Sequence, residues 1–280
     1  MTRRPADPEP DPDPDGDSDS DSELPDAILG VAKQIAALLG ALPRTDLAMP
    51  GSDWTVAEAA SHLAMANRLM AQIAAGRPSV HGDGTRTGLA EANARALVEC
   101  PERGAAVLGE QIVAQAAAFL DSARVRPATE VVSTPLGPME LDVLSRYLLA
   151  HMLSHGSAMA HAAKQPPMVR SDHVALVLPF IVATMPRLVD DAAIRGLRAC
   201  YELRIRGGAR LVVQFDDGTV TIGEQPHRRI DCRISIDPVA FFLLAAGLTS
   251  QWSLLARGKL GAWGRRPWRA PRFTGFFAIP

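Results

Sequence analysis

Apolar residues recur at helical spacing between residues 24 and 165 of this chain, and at alternate positions through much of the stretch beyond residue 195. Over residues 24–42, Ile28, Val31, Ala32, Ile35, Leu38 and Leu39 make one stripe, and Pro43 ends it. Thr55 followed by Glu58 is a capping-box pattern, which opens a second helix running to about Ala75 and closed by Gly76-Arg77-Pro78. Residues 77–86 read as a loop. Helical stretches follow over 88–98 and 102–122, divided by Cys100-Pro101. Residues 130–141 read as a small hairpin, and a long helix runs over 138–164 until Gln165-Pro166-Pro167 stops it. After one more helix over 171–192, the period changes to two over 200–206, 210–215, 219–222 and 229–236, with Gly207-Gly208 and Asp216-Asp217-Gly218 as turns. Asp237-Pro238 then opens a helix. The pattern predicts a bundle of four or more helices over residues 24–166. A smaller α+β domain with an antiparallel sheet follows over 167–280.

Three polar residues interrupt the apolar stripes in a way that suggests chemistry. His151 and His155 are four apart, one turn on the same helix face, and Leu144, Leu148 and Met159 continue that face. His62 shares the stripe of the second helix with Ala59, Ala66, Leu69 and Ile73. Two readings fit: satisfied core histidines, or a metal site of three nitrogens with one open coordination position, as catalytic zinc requires. His161 falls off the line through His151, and His81, His173 and His227 suit solvated surface roles.

Composition narrows the class. Hydrophobic residues make up 47% of the 280 and charged residues 21%, which a packed core accounts for. The net charge of −2 is unevenly spread. Residues 1–23 hold seven Asp and two Glu against Arg3 and Arg4 and read as a disordered acidic tail, so the remainder is mildly basic. Cys100, Cys200 and Cys232 are scattered, without a C-x-x-C pair, and suit a reducing cytoplasm. No uninterrupted apolar run suggests a membrane span. The last thirty residues carry six bases, no acid, and Trp252, Trp263 and Trp268, but no recognition motif, so no nucleic-acid partner is expected.

The run Trp54-Thr55-Val56-Ala57-Glu58-Ala59-Ala60-Ser61-His62-Leu63, followed by His151-x-x-x-His155, resembles the DinB-type metal-binding four-helix bundle. More narrowly, it is similar to the N-terminal domain of mycothiol-dependent maleylpyruvate isomerases of actinobacteria. Their second domain is related to the sterol-carrier-protein-2 fold. Gly258-Lys259-Leu260 and Gly264-Arg265-Arg266-Pro267-Trp268-Arg269-Ala270 extend the resemblance to that domain. It implies Zn²⁺ on His62, His151 and His155, with mycothiol as thiol cosubstrate. Metal-lowered thiol pKa would allow attack on an electrophilic small molecule, giving isomerisation or S-transfer. Two positions depart from the family, which commonly has Glu at the position of His151 and often Asp at that of Ala158. An acidic substrate would want a cation, for which Arg146, Arg265 and Arg269 are candidates, with Tyr147 and Ser154 as neighbouring polar groups. The alternatives are a non-catalytic apolar-ligand or lipid carrier, for which Phe241-Phe242-Leu243-Leu244 could line a pocket, and a silent partner protein.

Overall fold

The computed structural model describes residues 18–77, 81–83 and 85–277. Helix α1 spans Ser18–Ala41, α2 Val56–Ala74, α3 Arg86–Glu99, α4 Ala105–Ala123 and α5 Leu141–Ala162. Helices α1, α2, α4 and α5 pack as the four-helix bundle, and α3 lies outside against α2. The acidic tail expected over residues 1–23 falls outside the described residues up to residue 17. Helix α1 takes in its last residues, 18–23. The expected 77–86 loop also falls partly outside the described residues.

The bundle core follows the sequence stripes. Ile28, Val31, Ile35 and Leu39 of α1 are buried, as are Leu63, Met70 and Ile73 of α2 and Leu144, Leu148 and Met159 of α5. Residues Glu23–Ala41 are long and apolar enough to cross a membrane by length and mean hydropathy, 1.3, although Asp26 and Lys33 interrupt the run. Here one face of that helix is buried against α4 and α5, while Lys33 and Gln34 on the other are exposed. That is how an amphipathic bundle helix packs. Two glycines permit close approach. A Cβ at Gly109 of α4 would lie 3.1 Å from Ala36, and one at Gly156 of α5 would lie 3.0 Å from Ile35 Cγ1 and 2.8 Å from Met168 Sδ.

The short strands β1 (Val131–Val132) and β2 (Met139–Glu140) form the expected hairpin. Helix α5 starts after it, at Leu141, because Pro138 and Met139 are spent in the turn and strand. The single helix expected over 171–192 is instead α6 (Ser171–Thr184), a 3₁₀ turn over Met185–Leu188 and the short α7 (Asp191–Ile194). Pro186 removes a donor, and the Asp190 carboxylate accepts from the Ala192 and Ala193 N–H groups to start a new helix.

The second domain is built on β3 (Arg198–Ile205), β4 (Arg210–Asp216), β5 (Thr219–Gly223), β6 (Cys232–Ile236) and β7 (Leu260–Trp263), in the order β5-β4-β3-β6-β7. Helices α8 (Pro238–Ala245) and α9 (Gln251–Ala256) lie between β6 and β7 in the chain. The sheet is mixed: β3 pairs with β6 in parallel and every other pair is antiparallel. The chain leaves β5 at one edge and returns beyond β3, so β6 enters in the direction of β3. Tyr201 and Phe215 pack with Phe273 and Phe276 on one sheet face. On the other, the fully buried Glu202 accepts from Arg204 and, at 2.6 Å, from Arg210, with Arg233 at 3.5 Å. The two domains meet along α6, which packs on α5 and on α8.

Candidate metal centre

Helices α2 and α5 deliver three imidazoles to one point. The Thr55 side chain accepts from the Glu58 N–H at 3.3 Å, and Glu58 accepts from the Thr55 N–H at 2.8 Å, so the capping box fixes the start of α2. His62 lies two turns further on. His151 and His155 lie one turn apart on α5, with ring centroids 4.5 Å from each other and 5.3 and 4.9 Å from that of His62. His62 Nε2 and His151 Nε2 are 3.3 Å apart, and one ring nitrogen from each of the three lies within 4.8 Å of the others. Nitrogens that share a tetrahedral zinc at ~2.0–2.1 Å are separated by about 3.3 Å, the edge of that tetrahedron.

The donor set suits a metal. Burial pushes His62 down to about 3, assisted by the charges of His155 and His81. Burial alone takes His155 down to about 4, and burial followed by its two neighbours holds His151 well below the ordinary value. All three rings are therefore neutral at pH 7, the state in which imidazole offers a lone pair. His151 Nδ1 is buried without a partner, as is Nδ1 of the core histidine His173, so that orphan does not by itself set the triad apart from core packing.

Aromatic rings enclose the triad. Trp54, placed by a tight turn in which Met49 N–H donates to its carbonyl at 2.8 Å, lies 5.0 Å from the His62 ring and stacks at 6.5 Å on that of His155. Tyr147 meets His151 edge-on at 5.7 Å and stacks at 4.7 Å on Phe180 of α6. Burial raises the Tyr147 hydroxyl to about 12, so it stays protonated.

Of the residues singled out in the sequence, the structure gathers His62, His151, His155 and Tyr147. Arg265 and Arg269 form their ion pairs in the second domain, with Arg266, on the buried Asp231 carboxylate at 3.6 Å each. Arg146 donates to Asp142 and, at 2.8 Å, to the Leu176 carbonyl. Ser154 is half-buried on α5. His161 and His227 are exposed, but His173 is buried at the start of α6, against the surface role expected of it. His81 is half-buried and shares a 2.7 Å hydrogen bond with Asn93. Phe180 went unremarked in the sequence because α6 belongs to no stripe facing the histidines; only its packing on α5 brings it there. Ala158 is buried and apolar.

Fold and site together define a two-domain protein: a helical bundle with a histidine triad, followed by a sterol-carrier-like α+β domain. Residues 29–157 match the family model of the mycothiol maleylpyruvate isomerase N-terminal domain, and residues 183–264 match that of the SCP-2 sterol transfer family. A crystal structure of the mycothiol-dependent maleylpyruvate isomerase has a similar fold. At 12% identity and a TM-score of 0.51, the match covers 82% of this chain and 90% of that one. The structure of a histidine-to-alanine variant of that enzyme matches equally well. A chain described as UbiJ-SCP2 ubiquinone synthesis protein is 16% identical over 35% of this chain and 88% of its own, with a TM-score of 0.29. No curated protein is matched. An N-terminal region similar to the mycothiol maleylpyruvate isomerase N-terminal domain is thus followed by one similar to the SCP-2 sterol transfer family, on a fold shared with a solved maleylpyruvate isomerase.

Proposed function

We propose that this chain is a zinc-dependent enzyme that uses a low-molecular-weight thiol, mycothiol or a close analogue, to isomerise or S-conjugate an electrophilic small molecule. The 3.3 Å separation of His62 Nε2 and His151 Nε2, with His155 beside them, carries the reading. His62, His151 and His155 would hold the metal. Bound there, Zn²⁺ supplies Lewis acidity that lowers the pKa of a coordinated thiol toward neutrality. A ligand set of three neutral imidazoles leaves more net positive charge than one that includes a carboxylate, which strengthens that effect.

The remaining roles belong to the chain itself. Trp54 packs against two of the three histidines and limits the directions from which a ligand approaches. Tyr147 stays protonated at neutral pH, which suits it to the role of donor rather than of general base. The free cysteines, of which Cys200 and Cys232 are buried, support a reducing compartment, and we assign the protein to the cytoplasm on that ground.

Metal analysis of the purified chain, paired with thiol-dependent turnover of an electrophile panel, tests the reading. One zinc per chain is expected, lost together with turnover in His155→Ala. A chain that folds but takes up no zinc would leave the histidines as core packing and the protein as a candidate carrier of apolar ligands.

A further inference from the structure

The sheet of the second domain turns a basic face outward. By strand register, Glu202, Arg204, Arg210, Arg233 and Trp263 share the side opposite Tyr201. The buried Glu202 carboxylate is shared by Arg204, Arg210 and Arg233, whose side chains stay 34–51% exposed. Arg206, two residues beyond Arg204, is exposed and donates to the Ser235 hydroxyl at 3.2 Å. The Arg204 guanidinium lies 5.5 Å over the ring of Trp263, itself exposed. The other acid that the five strands put on this side, Asp216, is paired with Arg198 at 3.2 Å. Arg204, Arg206, Arg210 and Arg233 thus answer to the single carboxylate of Glu202. Guanidinium groups gathered in that excess repel one another and attract an anion.

The chain carries the complement itself. Every odd position from Asp7 to Asp17 is an acid, and no base lies between them. Pro8, Pro10, Pro12 and Pro14 each favour extended backbone in the acid before them. Alternate residues of an extended chain repeat at about 6–7 Å, which is also the interval between Arg204 and Arg206 along β3. Asp7 can reach about 36–40 Å from Ser18, most of the way across a compact chain of this length. Tethering so close holds the segment at an effective concentration of about 1 mM, so a weak intrinsic affinity suffices. We propose that residues 7–17 dock on the Arg204, Arg206, Arg210 and Arg233 face of the same chain, an acidic cover that screens this face from other polyanions. The proposal is independent of the metal centre.

The test uses a rhodamine-labelled peptide of residues 6–17 and two full-length chains, the parent and one whose acids at positions 7–17 are replaced by their amides. Anisotropy in 50 mM salt reads the binding. The peptide is expected to bind the neutralised chain with a Kd of about 0.1 mM and the parent about tenfold more weakly, because the parent's own segment competes at about 1 mM. Raising the salt to 200 mM should weaken binding several-fold. Arg206→Gln with Arg233→Gln in the neutralised chain should also weaken it several-fold, while Arg204 and Arg210 stay on Glu202 and circular dichroism confirms the fold. Equal binding to parent and neutralised chains overturns the proposal, as does binding to neither or binding that the arginine variant leaves unchanged. A parent that is dimeric by light scattering and becomes monomeric on neutralisation would assign the segment to a second copy and overturn the intramolecular contact. A single-stranded oligothymidine that binds both chains alike would mark the face as a nucleic-acid surface and overturn it as well.

Discussion

Desolvation keeps His62, His151 and His155 neutral, which leaves each a lone pair that a metal could take. Trp54 contributes at the same scale. Its ring covers His62 and His155, so Trp54→Ala should loosen the triad without removing a ligand atom. Zinc is expected to stay stoichiometric but to dissociate to a chelator at least about tenfold faster, in line with the loss that mutating residues around metal ligands produces. An unchanged off-rate would reduce Trp54 to surface packing. The histidine pair was legible in the sequence from i, i+4 spacing, and His62 from its stripe. The Tyr147–Phe180 stack was not, since it depends on what α6 brings to α5.

At the scale of elements, the registry of α5 against α1 fixes where His155 sits. Gly156 lies against Ile35, with Met168 on its other side, and any Cβ there intrudes on both. Gly156→Ala is expected to destabilise the fold by about 1–3 kcal/mol through overpacking and to weaken zinc binding as α5 shifts. A double-mutant cycle with Met168→Ala should recover part of the stability, because the nearest clash is with that flexible side chain. Additive effects would mean the strain is relieved elsewhere. The helices α1, α2, α4 and α5 were legible because each buries one long stripe. The parallel pairing of β3 with β6 was not, because alternation in β6 reads the same whichever way the strand runs. Strand β7 was hidden for another reason: it is four residues long and half exposed, so it shows little pattern.

For the whole molecule, the second domain depends on a buried charge. Burial raises the Glu202 carboxyl, but hydrogen bonds and charge from Arg204 and Arg210 outweigh it, and the net shift is downward. A carboxyl with a lowered folded pKa stabilises the fold fully above its unfolded value near 4.5, and that stabilisation is lost as pH falls through the folded pKa. The second domain should therefore lose stability in acid, below about pH 4.5. Glu202→Gln should flatten that acid limb and lower stability at pH 7 by about 1 kcal/mol, because the amide pairs more weakly with guanidinium groups that are themselves part exposed to water. Urea midpoints at pH 7 and pH 4 check this; a variant as stable as the parent at pH 7 would contradict it. The same domain shows what the sequence concealed about the arginines near the C-terminus. They look available in a basic stretch without acids, yet Asp231, far from them in the chain, holds Arg265, Arg266 and Arg269.

X-ray absorption at the zinc edge of the purified chain tests most directly whether three imidazoles hold a metal. The predicted spectrum is four-coordinate, with three imidazole nitrogens at ~2.0–2.1 Å and one exchangeable light ligand, one imidazole fewer in His155→Ala, and a sulfur contribution at ~2.3 Å once thiol is added. A zinc-loaded chain whose spectrum shows six oxygen-type ligands, or no change in His155→Ala, would contradict it.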